Sequence, residues 1–390
     1  MIKVFARKMK IIDIKTFLVR GGNRNWVFCK IETDEGVHGW GEGTLEKHEQ
    51  AVESGIKTLA DRLIGNDPTQ IERNWQIMYR HGFWRGGAVM GSAMAAIDIA
   101  LWDVTGKIYN LPVYKMLGGA VRDRVRAYTH AGDLRGGWDA VDQGFTGFKT
   151  GGWDLAKPAF HEKDGADYLH EKIKEMRDHL GPEMEIMIDN HGRSRPSEAI
   201  RRMSAVEEFD ITFFEEPVPP DNLDAMEQIR NSSITMDIAT GERLFFRYGF
   251  RDILHRRLTD VIQPDIAHTG GISEIKRIAS MAEIEYIKFA PHNPNGPIAT
   301  AASMHVCATV PNFLILETAR DMPWHDKIQT TPLEVKNGYF ELPTAPGLGT
   351  DLDESVIAER TFYPDDERTI GNAGGNSGSW NAEDMSPADV

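Results

Sequence analysis

The sequence predicts an α/β protein: a parallel barrel of the (β/α)8 type preceded by a smaller α+β unit. Three observations lead there. Between residues 125 and 317, short β-rich apolar runs alternate with helix-length segments at a near-constant period. Six of these runs lead into Asp189, Glu215, Glu242, Asp265, His292 and Glu317, at successive spacings of 26, 27, 23, 27 and 25 residues. Residues 9–125 instead carry long strand-like runs, a tight turn and two stretches of helical periodicity.

Residues 11–20 and 26–33 read as strands joined through a Gly-Gly-Asn turn, and Asp34-Glu35-Gly36 as a hairpin turn into residues 37–40. Residues 48–63 and 92–109 repeat apolar side chains at helical spacing. The run Gly39-Trp40-Gly41-Glu42-Gly43 has no strand–loop–helix context for a phosphate site, so it is read as a glycine-rich loop covering a site. Strands are expected at 125–129, 147–149, 185–188, 211–214, 237–240, 261–264, 287–291 and 313–316. The period stops near residue 320. Residues 334–341 then read as a hairpin with an Asn337-Gly338 turn, and the Gly-, Ser- and Asn-rich residues 365–390 as a disordered tail. The domain reading is therefore 1–125, 126–320, 321–364 and the tail.

Composition narrows the partners. The chain has 390 residues, 41% hydrophobic and 26% charged, enough to bury a sizeable core. With 44 Lys plus Arg against 59 Asp plus Glu, the formal net charge is −15. That argues against a nucleic-acid or anionic-membrane partner and leaves a small anionic substrate open. Cys29 and Cys307 alone cannot build a zinc cluster or a disulfide framework, so a reducing compartment is expected. The first twenty residues lack the apolar core of a signal peptide, and Asp98 interrupts the most apolar stretch, 93–102. A cytoplasmic protein is expected.

In such a barrel, strand carboxyl ends carry the functional groups. Asp189, Glu215 and Glu242 would then converge, and three desolvated carboxylates repel unless a cation neutralises them. All-oxygen ligation with open positions suits Mg2+; taken singly, each acid could equally be a helix cap or a surface group. His292 beside Asp265 has the arrangement of a general base oriented by a carboxylate. His191, two residues after Asp189, would face the same way if the strand persists. Lys149 is read as a substrate-carboxylate contact, a proton carrier or a structural ion pair. His130, near the end of the first strand, earns only a note. A hard cation beside such histidines suits removal of a proton next to a carboxylate and loss of a β-hydroxyl, the dehydration of a hydroxy acid.

At this point Asp189-Asn190-His191-Gly192-Arg193, Phe214-Glu215-Glu216-Pro217, Thr240-Gly241-Glu242-Arg243, Gln263-Pro264-Asp265 with Gly270-Gly271, and Ala290-Pro291-His292 come into order. The chain resembles the mandelate racemase subgroup of the enolase superfamily over about residues 9–360, with its galactonate dehydratase branch as the nearest likeness. Lys30 to Gly36, Arg85-Gly86-Gly87 and the Gly296-Pro297-Ile298-Ala299 loop share in it. The resemblance implies a (β/α)7β modified TIM barrel, capped by an α+β domain built from both chain ends. It implies one Mg2+ on Asp189, Glu215 and Glu242, His292 with Asp265 as base, and His191 as acid for the leaving 3-hydroxyl. Glu317 would hydrogen-bond the substrate carboxylate, and the product would be a 2-keto-3-deoxy acid. A homo-oligomer is also expected. Four departures from the pattern stand out: Gly151 where the subgroup's racemases carry a second lysine, Asn190, Thr300, and the segment 318–324. The first favours dehydration over racemisation; the others leave gluconate or another aldonate open as substrate. A racemase, epimerase or cycloisomerase is the alternative within the fold. A barrel glycosidase fits less well, because strand seven ends in His292 and not in a carboxyl, and a non-catalytic sensor leaves the intact ligand set without a purpose.

Overall fold

β1 (Ile11–Arg20), β2 (Asn25–Thr33) and β3 (His38–Glu42) pair antiparallel in the order β1-β2-β3, in a computed structural model that describes residues 9–22, 24–151, 162–318 and 324–362. Gly36, at φ 80°, makes the β2–β3 turn as the sequence reads. Helices α1 (Glu49–Ala60) and α3 (Ala88–Tyr109) cover this sheet, and between them in sequence α2 (Ile71–His81) packs against α3. Sequence periodicity anticipates α1 and α3 but misses α2. Its buried apolar residues are Ile71, Trp75 and Met78, with Ile77 and Tyr79 only partly buried beside them, in a helix whose other positions are polar. The tail at 365–390 and residues 319–323 lie outside the described residues.

The glycine run is a strand, not a loop over a site. A Cβ on Gly39, Gly41 or Gly43 would meet the carbonyl oxygens of Ala100, Ala96 and Ser92 at 2.4, 1.8 and 2.3 Å. Two strand residues advance about 6.6 Å and four helix residues about 6 Å, so alternate glycines match successive turns of α3. Helix α3 is itself long and apolar enough to cross a membrane, contrary to the sequence expectation. Most of it is buried here, and its acids are occupied: Asp98 accepts from Ser273 N and Oγ, and Asp103 from Trp40 N, Leu348 N and Lys107.

The barrel strands are β4 (Arg124–His130), β5 (Gly147–Gly151), β6 (Glu185–Asp189), β7 (Phe213–Glu215), β8 (Ile238–Thr240), β9 (Val261–Ile262), β10 (Lys288–Phe289) and β11 (Leu316–Glu317). They run parallel in chain order, β11 returns to β4, and a bridge from Phe289 to Phe313 completes the circuit. Each of β4 to β10 is followed by a helix, from Leu134–Asp142 to Pro297–Thr309, which makes the barrel (β/α)7β. Tyr128, Met187, Phe213, Ala239, Val261, Ala290 and Ile315 fill its interior as a cluster separate from the outer core between strands and helices.

The hairpin of β12 (Val335–Lys336) and β13 (Tyr339–Glu341) turns through Asn337 and Gly338 at φ 52° and 78°, the two positive values a two-residue turn of this kind needs. It pairs first with the barrel, β13 antiparallel to β4. Only then does the chain return to the α+β unit: Val113 N donates to Gly347 O, Lys30 pairs with Glu354, and Val19 bridges Thr361.

Candidate active site

One step of strand alternation beyond the interior cluster places a second ring of inward residues at the carboxyl end of each strand. Counting two on from Tyr128, Gly147, Met187, Phe213, Ala239, Val261, Ala290 and Ile315 gives His130, Lys149, Asp189, Glu215, Gly241, Gln263, His292 and Glu317. Every member but glycine is polar. Gly241, at φ 139°, breaks the alternation and lets the next residue, Glu242, turn inward.

Asp189, Glu215 and Glu242 present oxygens that all lie within 4.8 Å of one another. Lys149, almost fully buried, stands among the acids: its Nζ is 3.0 Å from both Glu215 oxygens, 3.2 Å from Asp189 and 2.9 Å from Glu317. Of the three readings open for Lys149 from the sequence, the geometry displays the ion pair. Gln263 Nε2 also donates to Glu215 Oε2 at 2.8 Å.

The two histidines flank this cluster at opposite members. His292 Nδ1 lies 2.7 Å from Asp265 Oδ2, and its Nε2 lies 3.2 Å from Glu242 Oε2. Asp265 is fixed in turn by Ala267 N at 2.6 Å and by Asn295 Nδ2 at 2.9 and 3.0 Å. His191 Nε2 is 2.9 Å from Asp189 Oδ2, but strand alternation does not bring it there. β6 ends at Asp189, and His191 adopts φ 49°, with its own N–H bonded to Asp189 Oδ1 at 2.8 Å. The left-handed turn folds the imidazole back onto the carboxylate that precedes it.

Glu317 accepts from Lys149 and from His130 Nε2 on one oxygen and from Asn293 N, at 3.0 Å, on the other. Thr300 Oγ1 holds the Asn293 amide at 2.9 Å, so this departure from the resemblance acts through Asn293 on Glu317. Asn190 turns away from the ring: its amide donates to Pro217 O at 3.0 Å and accepts from Arg202 at 3.2 Å. The segment 318–324 is described only at its two ends. Gln263, named in the sequence only as part of a motif and given no role, and Asn293, not singled out there, are further site neighbours. The alternation rule applied to Val261 locates the first, and nothing local marks the second.

Burial and charge pull these groups apart in basicity. Burial, reinforced by Asp189, pushes Glu215 up to about 8, and burial with the charge of Glu216 takes Glu242 to about 7. Burial also opposes the charge of Asp189, yet Lys149 and His191 outweigh it and hold Asp189 below the usual carboxylate range. Glu317 is likewise held well below, burial being overcome by Lys149 and His292. Burial disfavours a charged His292, but Glu242, Glu317 and Asp265 lift it to about 10. Lys149 stands between Asp189 and Glu215, and burial makes ionising Glu215 and Glu242 costly unless a further cation is present, in a donor set made of oxygens alone. A hard divalent cation fits it.

Residues 135–356 match the family described as enolase C-terminal domain-like, and residues 2–118 match the mandelate racemase / muconate lactonizing enzyme N-terminal domain. A D-galactonate dehydratase from Ralstonia pickettii is 37% identical over 374 residues, spanning 92% of this chain and 96% of that protein. A solved member of the enolase superfamily from Salmonella Typhimurium is 31% identical with a TM-score of 0.85, covering 90% of this chain and 98% of its own. An enolase from Pantoea ananatis, solved with bound D-gluconate and magnesium, is 31% identical with a TM-score of 0.84, covering 91% and 95%. With both halves matched in order around a (β/α)7β barrel, the chain belongs to the mandelate racemase / muconate lactonizing enzyme family of the enolase superfamily.

Proposed function

We propose that the protein is a hydro-lyase that converts an acid sugar, galactonate or a related aldonate, into a 2-keto-3-deoxy acid in a Mg2+-dependent reaction. The observation that carries this reading is the Asp189, Glu215 and Glu242 oxygen cluster with His191 against one member and the His292–Asp265 pair against another. The name of the Ralstonia relative and the gluconate and magnesium of the Pantoea structure support the substrate class and the metal.

Asp189, Glu215 and Glu242 would hold the ion. When bound, it supplies positive charge against the substrate carboxylate as C2 loses its proton. His292 takes that proton at Nε2, because its Nδ1–H is committed to Asp265. His191 gives a proton from Nε2 to the 3-hydroxyl, which departs as water, and the remaining enol rearranges to the 2-keto-3-deoxy acid. Glu317 would hydrogen-bond the substrate carboxylate through a proton taken up when that second anion arrives beside it, and the Lys149 ammonium next to it offsets the remaining negative charge. Gly151 offers no second strand-two base, which favours dehydration over racemisation of the mandelate type.

The test is a dehydration assay over a panel of aldonates and aldarates, with product identified by NMR, before and after EDTA. The expected outcome is a 2-keto-3-deoxy product that vanishes with the chelator and returns with Mg2+. Product formation indifferent to EDTA overturns the mechanism.

A further inference from the structure

Seven strands of the barrel contribute to the ring around the carboxylates in ways already described; the member from strand β4, His130, has no assigned task. Its side chain is 39% exposed at the open end of the barrel, while its neighbours Glu317 and Lys149 are 0% and 6% exposed. The imidazole hydrogen-bonds Glu317 Oε1 through Nε2. A carboxylate accepts, so Nε2 carries the hydrogen, and the neutral ring then has an acceptor lone pair on Nδ1. No hydrogen bond reaches Nδ1 among the described residues.

We propose that His130 is a specificity-determining residue: its Nε2–H holds Glu317 in place, and its Nδ1 accepts a hydrogen bond from a hydroxyl of the bound acid sugar. The inference deepens the dehydratase reading and rests on it. A lone pair at that place has no favourable contact with a carboxylate and suits a polyol chain, which brings hydroxyl donors. A site that leaves a fixed acceptor to be met by a substrate hydroxyl discriminates against the analogue lacking it, because the acceptor then stays unmatched once water is excluded. The residue therefore has two separable effects, one on the position of Glu317 and one on the choice of ligand.

Steady-state kinetics with Mg2+ separate them, using wild type, His130→Ala and His130→Gln on an aldonate that wild type dehydrates and on its mono-deoxy analogues. For wild type, kcat/KM is expected to fall at least about tenfold for one deoxy analogue. His130→Ala should raise KM for the parent aldonate about tenfold, lower kcat, and bring that discrimination to within about threefold. His130→Gln keeps an N–H for Glu317 but exchanges the ring Nδ1 acceptor, fixed in place, for an amide Oε1 in a different position on a flexible chain. It should recover kcat to within about threefold of wild type while discrimination stays lost. Thermal melting of each variant reports whether the fold is intact. Variants that lower melting temperature or kcat but leave KM and discrimination unchanged overturn the assignment to His130 alone. A wild type that dehydrates no aldonate overturns the dehydratase reading and this inference with it.

Discussion

In the proposed reaction His292 would exchange a proton at Nε2 while Nδ1 is held by Asp265, so removing the ring removes both atoms. His292→Asn is expected to lower kcat by about 10^3-fold or more while melting temperature and Mg2+ affinity stay near wild type, checked by kinetics and calorimetry. Lys149 tests a different quantity. Without it, Asp189, Glu215 and Glu317 face one another with no ammonium between them, and breaking such a buried pairing costs about 3–5 kcal/mol. Lys149→Met should therefore melt well below wild type without metal and gain more on adding Mg2+ than wild type does. Equal gains would show that the two cations do not share a task. His305 sets a pH limit away from the site. Tyr114 N donates to its Nδ1 at 3.1 Å, its Nε2 donates to Leu348 O at 3.2 Å, and burial lowers it to about 4. The unfolded chain, with His near 6.5, binds more protons between those values, so this stability is complete above about pH 6.5 and is lost as pH falls toward 4. The loss between pH 7 and 5 is about 2 kcal/mol, and His305→Gln should show correspondingly less acid destabilisation in melting curves.

Strand β3 and helix α3 are coupled through backbone contact, which makes the element intolerant of a single methyl group. Gly41→Ala puts a Cβ 1.8 Å from the Ala96 carbonyl oxygen and must part strand from helix. A loss of several kcal/mol is expected by chemical denaturation, against about 1 kcal/mol for an ordinary Gly→Ala effect. At the far end of β3, Glu42 accepts from Gly296 N at 2.6 Å and Ala299 N at 2.9 Å, anchoring the start of helix Pro297–Thr309. Burial raises Glu42 to about 7, while these donors and Thr44 favour its anion. This is also where the sequence reading falls short in an instructive way. Alternating glycines around a tryptophan look alike whether they free a loop or admit a helix, and only the partner at Ser92, Ala96 and Ala100 decides. Barrel strands are easier to read, because each is a short apolar run that stops at or within a few residues of an ionisable one. His292 and Asp265 are legible for that reason. The approach of His191 is legible too, but its cause is hidden, since a left-handed residue outside glycine leaves little mark in a sequence.

At the scale of the whole molecule, the site lies in a barrel and the chain on either side of that barrel is tied together. Val19 bridges Thr361, Arg20 N donates to Arg360 O at 2.8 Å, Lys30 meets Glu354 at 2.5 Å, and Lys107 meets Asp351 at 2.5 Å. A chain ending at Thr350 forfeits all four contacts. Limited proteolysis of that truncation should cut within β1 to β3 while the barrel resists; survival of the first 60 residues would show the return segment to be dispensable. The parallel barrel is legible from period alone, whereas this closure is not, because contacts about 340 residues apart leave no local pattern. The closure has a consequence for biosynthesis. Val19 leaves the ribosome early and Thr361 late, an interval of roughly half a minute at about 10 residues per second. Through that interval the nascent sheet lacks its final partner, so the sealed enzyme is a product of the finished polypeptide and not of any growing one.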